Sequence, residues 1–185
     1  MNNKSFYVGD ALGRPDDWSD NDKQFGINIG FTNIYSPDHM FGYNNNITTT
    51  HINTVNHQEI IVMVGFPGSG KSTVASTITN YKIMHGDELL TSKKMIKEAE
   101  KHIQEGASIV FDATNPTKEK RQEYVALANK YKLPIRCIVM QTDMAEAMFR
   151  NNKRNKIIPK ITYYVFRKKY QDPTLDEGFQ EIIKI

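Results

Sequence analysis

The feature that most constrains this chain is eight residues long: Gly65–Ser72, which read Gly-Phe-Pro-Gly-Ser-Gly-Lys-Ser. They follow the unbroken apolar run Ile60–Val64 and fit G-x-x-x-x-G-K-[ST] at each fixed position. Such a run reads as a strand buried on both faces, and the loop turns it into a helix that begins near Lys71. The spacing has a chemical reason. Gly65, Gly68 and Gly70 permit a tight turn whose backbone N–H groups converge on phosphate oxygens, with Phe66, Pro67 and Ser69 at the variable positions. The helix adds the positive end of its dipole. Lys71 can neutralise β- and γ-phosphates, and the Ser72 hydroxyl can ligate Mg²⁺. ATP and Mg²⁺ are therefore the expected ligands of Gly65–Ser72.

The pattern downstream extends the α/β reading. Helices are predicted over Lys71–Thr79, Glu88–Gln104, Lys118–Lys130, Met144–Asn152 and Ile161–Tyr170. Strands are predicted over Tyr81–His85, Ala107–Phe111, Leu133–Met140 and Ile182–Ile185. Leu89, Leu90, Met95, Ile96 and Ile103 mark the inner face of the second helix. Tyr124, Val125, Ala128 and Tyr131 mark that of the third, which Thr117 or Asn115 can cap. The expected architecture is a P-loop kinase fold, a mostly parallel sheet with helices on both faces.

A chain of 185 residues supports one sizeable core. It has no apolar run near ~20 residues and no apolar leader, so neither a membrane span nor a signal peptide is expected. Cys137 is the only cysteine, which excludes an intrachain disulfide; an intracellular setting follows. Residues 59–185 form the predicted kinase domain, preceded by a linker at 42–58 and a separate piece at 1–41. The piece holds a possible strand, Ser5–Val8, then an acidic, turn-rich stretch at 14–22, read as a solvated loop in preference to a metal site. Phe25, Ile27, Ile29 and Phe31 then alternate with smaller or polar residues. The linker offers little to pack, and its His51 and His57 read as exposed.

Polar residues at strand ends lie where ligands bind in such sheets. Asp87 can serve as a general base toward a hydroxyl acceptor, hold water around Mg²⁺, or cap a helix. Asp112 can join the magnesium shell, contact the acceptor, or form a turn. Thr114 and Asn115 can bond a nucleic-acid phosphate or hold their loop. The net charge is only +3, yet eight Lys/Arg and no acidic residue lie between Ala147 and Gln171. Arg150, Lys153 and Arg154 are placed to act as a lid on the transferring phosphoryl group. Lys156, Lys160, Arg167, Lys168 and Lys169 are either a solvated face or contacts for a polymer backbone, with Tyr163, Tyr164 and Tyr170 as stacking faces.

Gly65–Ser72, Asp87, Asp112–Pro116, Asn151–Arg154 and Pro173–Phe179 occur in an order and spacing that resemble the kinase domain of the bifunctional polynucleotide kinase 3′-phosphatase family. The resemblance implies transfer of the γ-phosphate of ATP to 5′-hydroxyl ends of DNA or RNA. It implies Asp87 as the base, Lys71 and Ser72 at ATP–Mg²⁺, and the Asp112–Asn115 loop beside the acceptor. Two departures stand out. The family has Asn-Arg before the base where this chain has His85-Gly86. Its lid reads Asn-Asn-Arg-Phe-Arg, where Lys153, Arg154 and Asn155 follow two asparagines here, so Lys153 and Arg154 share the lid role. The first 41 residues, with Phe6–Asp10, Gly13-Arg14, Asp17 and Asp22, resemble the closing stretch of the same family's haloacid-dehalogenase-like phosphatase domain. Asp10 matches its late metal-side aspartate, while the nucleophilic Asp-x-Asp that opens that domain has no counterpart. That leaves a remnant without 3′-phosphatase activity as the expectation for the front of the chain.

Two other readings compete with a polynucleotide 5′-hydroxyl kinase: a kinase for a small molecule or nucleoside, and a nucleotide-binding subunit without turnover. Salt and acceptor-length dependence separate the first two, because a polymer acceptor binds more weakly as salt rises. Turnover separates either from the third.

Overall fold

A computed structural model describes residues 5–14, 17, 19–37, 40, 52–154 and 156–185. Residues 42–51 of the expected 42–58 linker, His51 among them, and Asp16, Trp18 and Asn155 lie outside the described residues. The chain divides into two units, 1–48 and 49–185.

In the first unit, β1 (Tyr7–Val8) pairs in parallel with β2 (Ile34–Tyr35), and α1 (Asn21–Asn28) comes between them in the chain. The apolar alternation at 25–31 begins inside this helix and is not the mark of a strand: Gly26 is buried, while Phe25 and Ile27 are about half exposed. Two carboxylates of the acidic stretch, Asp17 and Asp22, are hydrogen-bonded and not merely solvated. Asp22 accepts from the Asp10 and Ala11 amides at 2.9 and 3.0 Å, and Asp17 from the Leu12 and Arg14 amides at 2.8 and 3.0 Å. The Arg14 guanidinium beside Asp17 holds its carboxyl well below the usual carboxylate range. Among the described residues no three His, Cys, Asp or Glu side chains converge as a metal site.

The second unit is built on five parallel strands in the order β4 (Tyr81–His85), β5 (Ser108–Asp112), β3 (Ile60–Val64), β6 (Ile135–Val139), β7 (Glu181–Lys184). All five residues of β3 and all five of β6 are buried, as central parallel strands demand. The pleat divides β3 between two layers. Ile60, Val62 and Val64 face one core with Phe111, Tyr124 and Cys137; Ile61 and Met63 face another with Ala75, Ile78 and Val110. Burial pushes the Cys137 thiol up to about 12, so it packs as an apolar group. Ile52 joins the second core and the Asn53 carbonyl accepts from Arg136 at 3.0 Å, so packing begins before residue 59, inside the stretch read as linker. His57 is exposed.

The helices are α2 (Lys71–Thr77), α3 (Gly86–Leu89), α4 (Ser92–Gln104), α5 (Lys118–Tyr131), α6 (Met144–Asn152) and α7 (Lys160–Lys169). The helix expected over 88–104 is two. Leu90 takes φ +65°, Thr91 turns extended and its side chain accepts from the Lys94 amide, so α4 starts afresh with its own cap. Leu90 is consequently 73% exposed and not a core residue. Thr117, not Asn115, caps α5. Among the described residues no helix is long and apolar enough to cross a membrane.

Candidate active site

The carboxyl ends of β3, β4, β5 and β6 share one edge of the sheet. Chain excursions leave the central β3 toward β4 and β5 on one side and toward β6 and β7 on the other, which opens a crevice at this edge. From β3 comes the loop Gly65–Gly70. Gly68 has φ +75°, and a Cβ there would lie 2.6 Å from the Ala147 carbonyl oxygen on α6, so only glycine lets the loop seat against that helix. Thr142 fixes the loop from another side, donating to the Ser69 carbonyl at 3.0 Å. Phe66 packs between Tyr163, stacked at 6.2 Å, and Phe166 at 4.5 Å, both on α7.

Lys71 opens α2 and is buried. Its ammonium donates to the Gly65 and Phe66 carbonyls at 3.1 and 2.6 Å and to Ser69 Oγ at 3.4 Å. Desolvation pulls its pKa down to about 8, against the opposing pull of the Asp112 and Asp87 charges. The next residue, Ser72, donates to Asp112 Oδ2 at 2.7 Å. The same oxygen lies 3.1 Å from His85 Nδ1, because His85 and Asp112 are register partners of β4 and β5. Asp112 is buried, so one carboxylate joins the loop helix to two strand ends. A hydroxyl and a carboxylate in contact form a hard-oxygen pair that suits Mg²⁺, an ion that keeps several water and phosphate ligands and needs no all-protein cage.

Asp87 stands apart from this cluster. It lies in the first turn of α3 with its side chain 85% exposed, and its nearest charged partner is Arg154 Nη2 at 3.8 Å. The Gly86 that precedes it allows close approach: a Cβ at 86 would meet Ala113 Cβ at 2.9 Å. An arginine there, as in the family pattern, has no room with this backbone. Arg154 and Asp87 are far apart in the sequence and come together at this edge of the sheet. Lys153 instead lies 4.9 Å over the Phe149 ring, and Arg150 donates to Glu146 at 2.6 Å while its Nη1 stays near Gly70. Asn151 has a supporting task. Its amide bonds both ways with the Ile158 backbone, at 2.8 and 2.9 Å, and so closes the loop that carries Lys153 and Arg154.

Thr114 enters through its backbone, whose carbonyl accepts from Gly65 N at 3.2 Å. Asn115 is buried and its amide donates to the Met63 carbonyl at 2.8 Å, so it holds the loop against β3. Sequence reasoning missed what holds Asn115 in turn. Arg121 donates to the Asn115 carbonyl at 3.3 Å and makes a two-pronged pair with Glu177, at 2.6 and 2.8 Å, with both side chains buried. A signal was present: Arg121 falls on the same helix face as Tyr124, Val125 and Ala128, and a charge on a core face requires a buried partner. Of the three tyrosines expected as stacking faces, Tyr163 is withdrawn, since it is fully buried under the loop. Tyr170 stacks on Phe166 at 5.5 Å and donates to Asp172, leaving Tyr164 as the open ring.

Residues 60–163, more than half of the chain, match the family described as AAA domain, and residues 1–41 match the family described as polynucleotide kinase 3 phosphatase. A bifunctional polynucleotide phosphatase/kinase of Schizosaccharomyces pombe is 33% identical over 97% of this chain and 50% of its own length. A putative bifunctional polynucleotide phosphatase/kinase of Acanthamoeba polyphaga mimivirus is 30% identical over 98% of this chain and 55% of its length. The chain thus spans about half the length of these curated relatives. Kti12 of Chaetomium thermophilum, solved in complex with ADP-AlF3, superimposes with a TM-score of 0.55 at 14% identity, covering 68% of this chain and 88% of that one, which shows a shared fold. The chain belongs to the AAA domain family, as a P-loop kinase domain related to the bifunctional polynucleotide phosphatase/kinases and preceded by a short segment of the polynucleotide kinase 3 phosphatase family.

Proposed function

We propose that this domain transfers the γ-phosphoryl group of ATP to the 5′-hydroxyl end of a polynucleotide. The observation that carries the reading is the meeting of two groups at one sheet edge. Lys71, Ser72 and Asp112 gather around the phosphate loop, and Asp87 faces Arg154 of the lid segment. The names of the curated relatives support the acceptor class. In this scheme Gly65–Ser72 cradle the nucleotide phosphates through backbone N–H groups, and Lys71 leaves the loop carbonyls to neutralise them. Ser72 and Asp112 would hold Mg²⁺, which when bound would supply positive charge against the phosphates. Asp87 accepts the hydroxyl proton as the new O–P bond forms and the bond to the leaving ADP oxygen breaks. Arg154 then stands beside the charge spreading from the γ-phosphoryl group, with Lys153 and Arg150 flanking it. The loop 112–115 lies next to the acceptor.

Residues 1–41 are read as a segment of phosphatase type, and the kinase reading assigns them no step. The test of the kinase reading offers γ-labelled ATP with 5′-hydroxyl DNA, 5′-hydroxyl RNA and free nucleosides in parallel. Label is expected on the polynucleotide ends. Label on nucleosides at equal efficiency would move the reading to a small-molecule kinase, and label on none would leave a nucleotide-binding subunit.

A further inference from the structure

The carboxylate expected to face Mg²⁺ is held from two directions. Asp112 ends β5 with its side chain 5% exposed, and among the described residues that side chain has two hydrogen-bond partners, both on Oδ2. Ser72 Oγ reaches it from α2 at 2.7 Å, and His85 Nδ1 from the end of β4 at 3.1 Å. The proposed reaction uses Ser72 and leaves His85 without a task. The two contacts differ in what an ion would do to them. A carboxylate that holds a cation carries no proton, so the hydrogen in each contact belongs to the hydroxyl or to the ring, and the ring donates from Nδ1. The serine hydrogen lies between the two oxygens that would share the ion and has to turn away. The ring hydrogen does not, since Oδ2 has one lone-pair site for the ion and another for an N–H.

The backbone is shaped for the ring contact. β4 and β5 pair in register along their whole length, from Tyr81 opposite Ser108 to His85 opposite Asp112, so His85 and Asp112 stand side by side on one face of the sheet. Gly86 follows at once, and a Cβ there would lie 3.3 Å from the Asp112 carbonyl oxygen and 2.9 Å from Ala113 Cβ. With no side chain at 86 the two strand ends close up, and the imidazole stays within reach of the carboxylate. His85 and Gly86, the two positions at which the chain departs from the family pattern before Asp87, thus act on one neighbour.

We infer that His85 is a positioning residue for the metal ion: its Nδ1–H holds the Asp112 carboxylate in the orientation that takes the ion once the Ser72 hydrogen has turned away. This rests on the proposed kinase reading for the ion and the nucleotide, but it does not require transfer. A buried carboxylate left without that donor would be under-bonded and free to turn, and either weakens its hold on a cation. Partners of this kind change metal affinity by about 10–100-fold. The His85 side chain is 37% exposed, so little packing depends on it. A histidine at a metal site can instead bind the ion through its own nitrogen. The contact favours positioning, because Nδ1 gives its hydrogen to Asp112 and has no lone pair left for an ion.

The test measures ADP affinity of the full chain as Mg²⁺ is raised, at fixed pH and with no acceptor present. Three variants separate the parts of the ring. Asparagine carries its amide nitrogen at the δ position, where Nδ1 stands; glutamine carries it one atom further out; phenylalanine keeps a flat ring with no donor. His85→Gln and His85→Phe are expected to raise the Mg²⁺ concentration at half effect about 10–100-fold, while His85→Asn stays near the parent. ADP affinity without Mg²⁺ should match the parent in all three. Parent-like Mg²⁺ dependence in His85→Gln and His85→Phe overturns the inference, and either variant suffices should the other fail to fold. A His85→Asn as deficient as the other two also overturns it, since the ring itself would then be the ligand. So does loss of ADP affinity in the absence of Mg²⁺, which would mean that His85 shapes the phosphate loop. A parent whose ADP affinity ignores Mg²⁺ overturns it together with the metal role of Asp112. If no acceptor takes label from ATP but the variants divide as expected, the kinase reading fails and the positioning of Asp112 stands.

Discussion

The two sides of the crevice are built differently. On the phosphate side Lys71 and Asp112 are buried, and Lys71, Ser72, Asp112 and His85 are tied by bonds of 2.6 to 3.4 Å. On the other side, the proposed acceptor side, Asp87 is largely in water, Arg154 is part-exposed, and the two meet at 3.8 Å. The phosphate side is held in place by the fold itself. The acceptor side has two charges of opposite sign and little that fixes them, so its geometry depends on what occupies it. A phosphate group has one shape whatever nucleotide carries it, and a rigid cradle suits it. In the proposed reaction a polynucleotide end enters and leaves, and open side chains suit that.

Breaking the support under the rigid side should have the largest effect. Arg121→Ala strands the Glu177 carboxylate in the core and is expected to destabilise the domain by about 3–5 kcal/mol in urea unfolding. A loss within ~1 kcal/mol would mean that water reaches Glu177 and the loop at Asn115 is held otherwise. The sharpest probe of the open side is Asp87→Asn. It keeps the shape but cannot take a proton, so single-turnover transfer should fall on the order of 10²–10⁴. Because the side chain is 85% exposed, unfolding stability should change by no more than ~0.5 kcal/mol. Near-parent transfer in Asp87→Asn with collapse in His85→Ala would move the base to His85.

Lys71→Met links both measures with opposite signs. Transfer should fall on the order of 10²–10³ with loss of a charge aimed at the phosphates. The nucleotide-free domain should become more stable by about 1–3 kcal/mol at pH 7, since a buried ammonium is replaced by an apolar chain of similar length. The smallest effect is its pH signature. Lys71 loses its proton near pH 8 in the folded chain and near its ordinary 10.5 when unfolded. Below 8 both states hold the proton; between the two values the unfolded state holds more, so stability rises with pH across that window. Subtracting the Lys71→Met stability curve from the parent curve should leave a rise from pH 8 to 10.5. A flat difference would show that the ammonium is hydrated in place.

Much of the rigid side was legible in the sequence because it is local. The apolar run and the loop after it are contiguous, and Tyr81–His85 and Met144–Asn152 have the bounds that pattern alone assigns. Asp112 could be placed at a strand end, but its contact with Ser72 joins residues 40 positions apart and follows from strand order. The break at Leu90 was hidden because leucines at 89 and 90 continue the helical period, and Thr91 reads as a cap only once the turn before it is seen. Tyr163 and Tyr164 are adjacent and identical in type, and only packing against Phe66 separates the buried ring from the open one. Asn151 read as part of a lid motif, yet its amide works on the backbone of Ile158.

The Arg121–Glu177 pair also sets an order of events during synthesis. Glu177 is made 56 residues after Arg121, which at 5–20 residues per second is a delay of about 3–11 s. Until then the guanidinium has no buried carboxylate to meet and must stay hydrated, which keeps α5 from seating its Tyr124 and Val125 face. The loop at Asn115 waits on the same event, and with it the Thr114 carbonyl that accepts from Gly65 N. The residues that bind phosphate leave the ribosome early, but they become a site only when a glutamate more than a hundred positions later arrives.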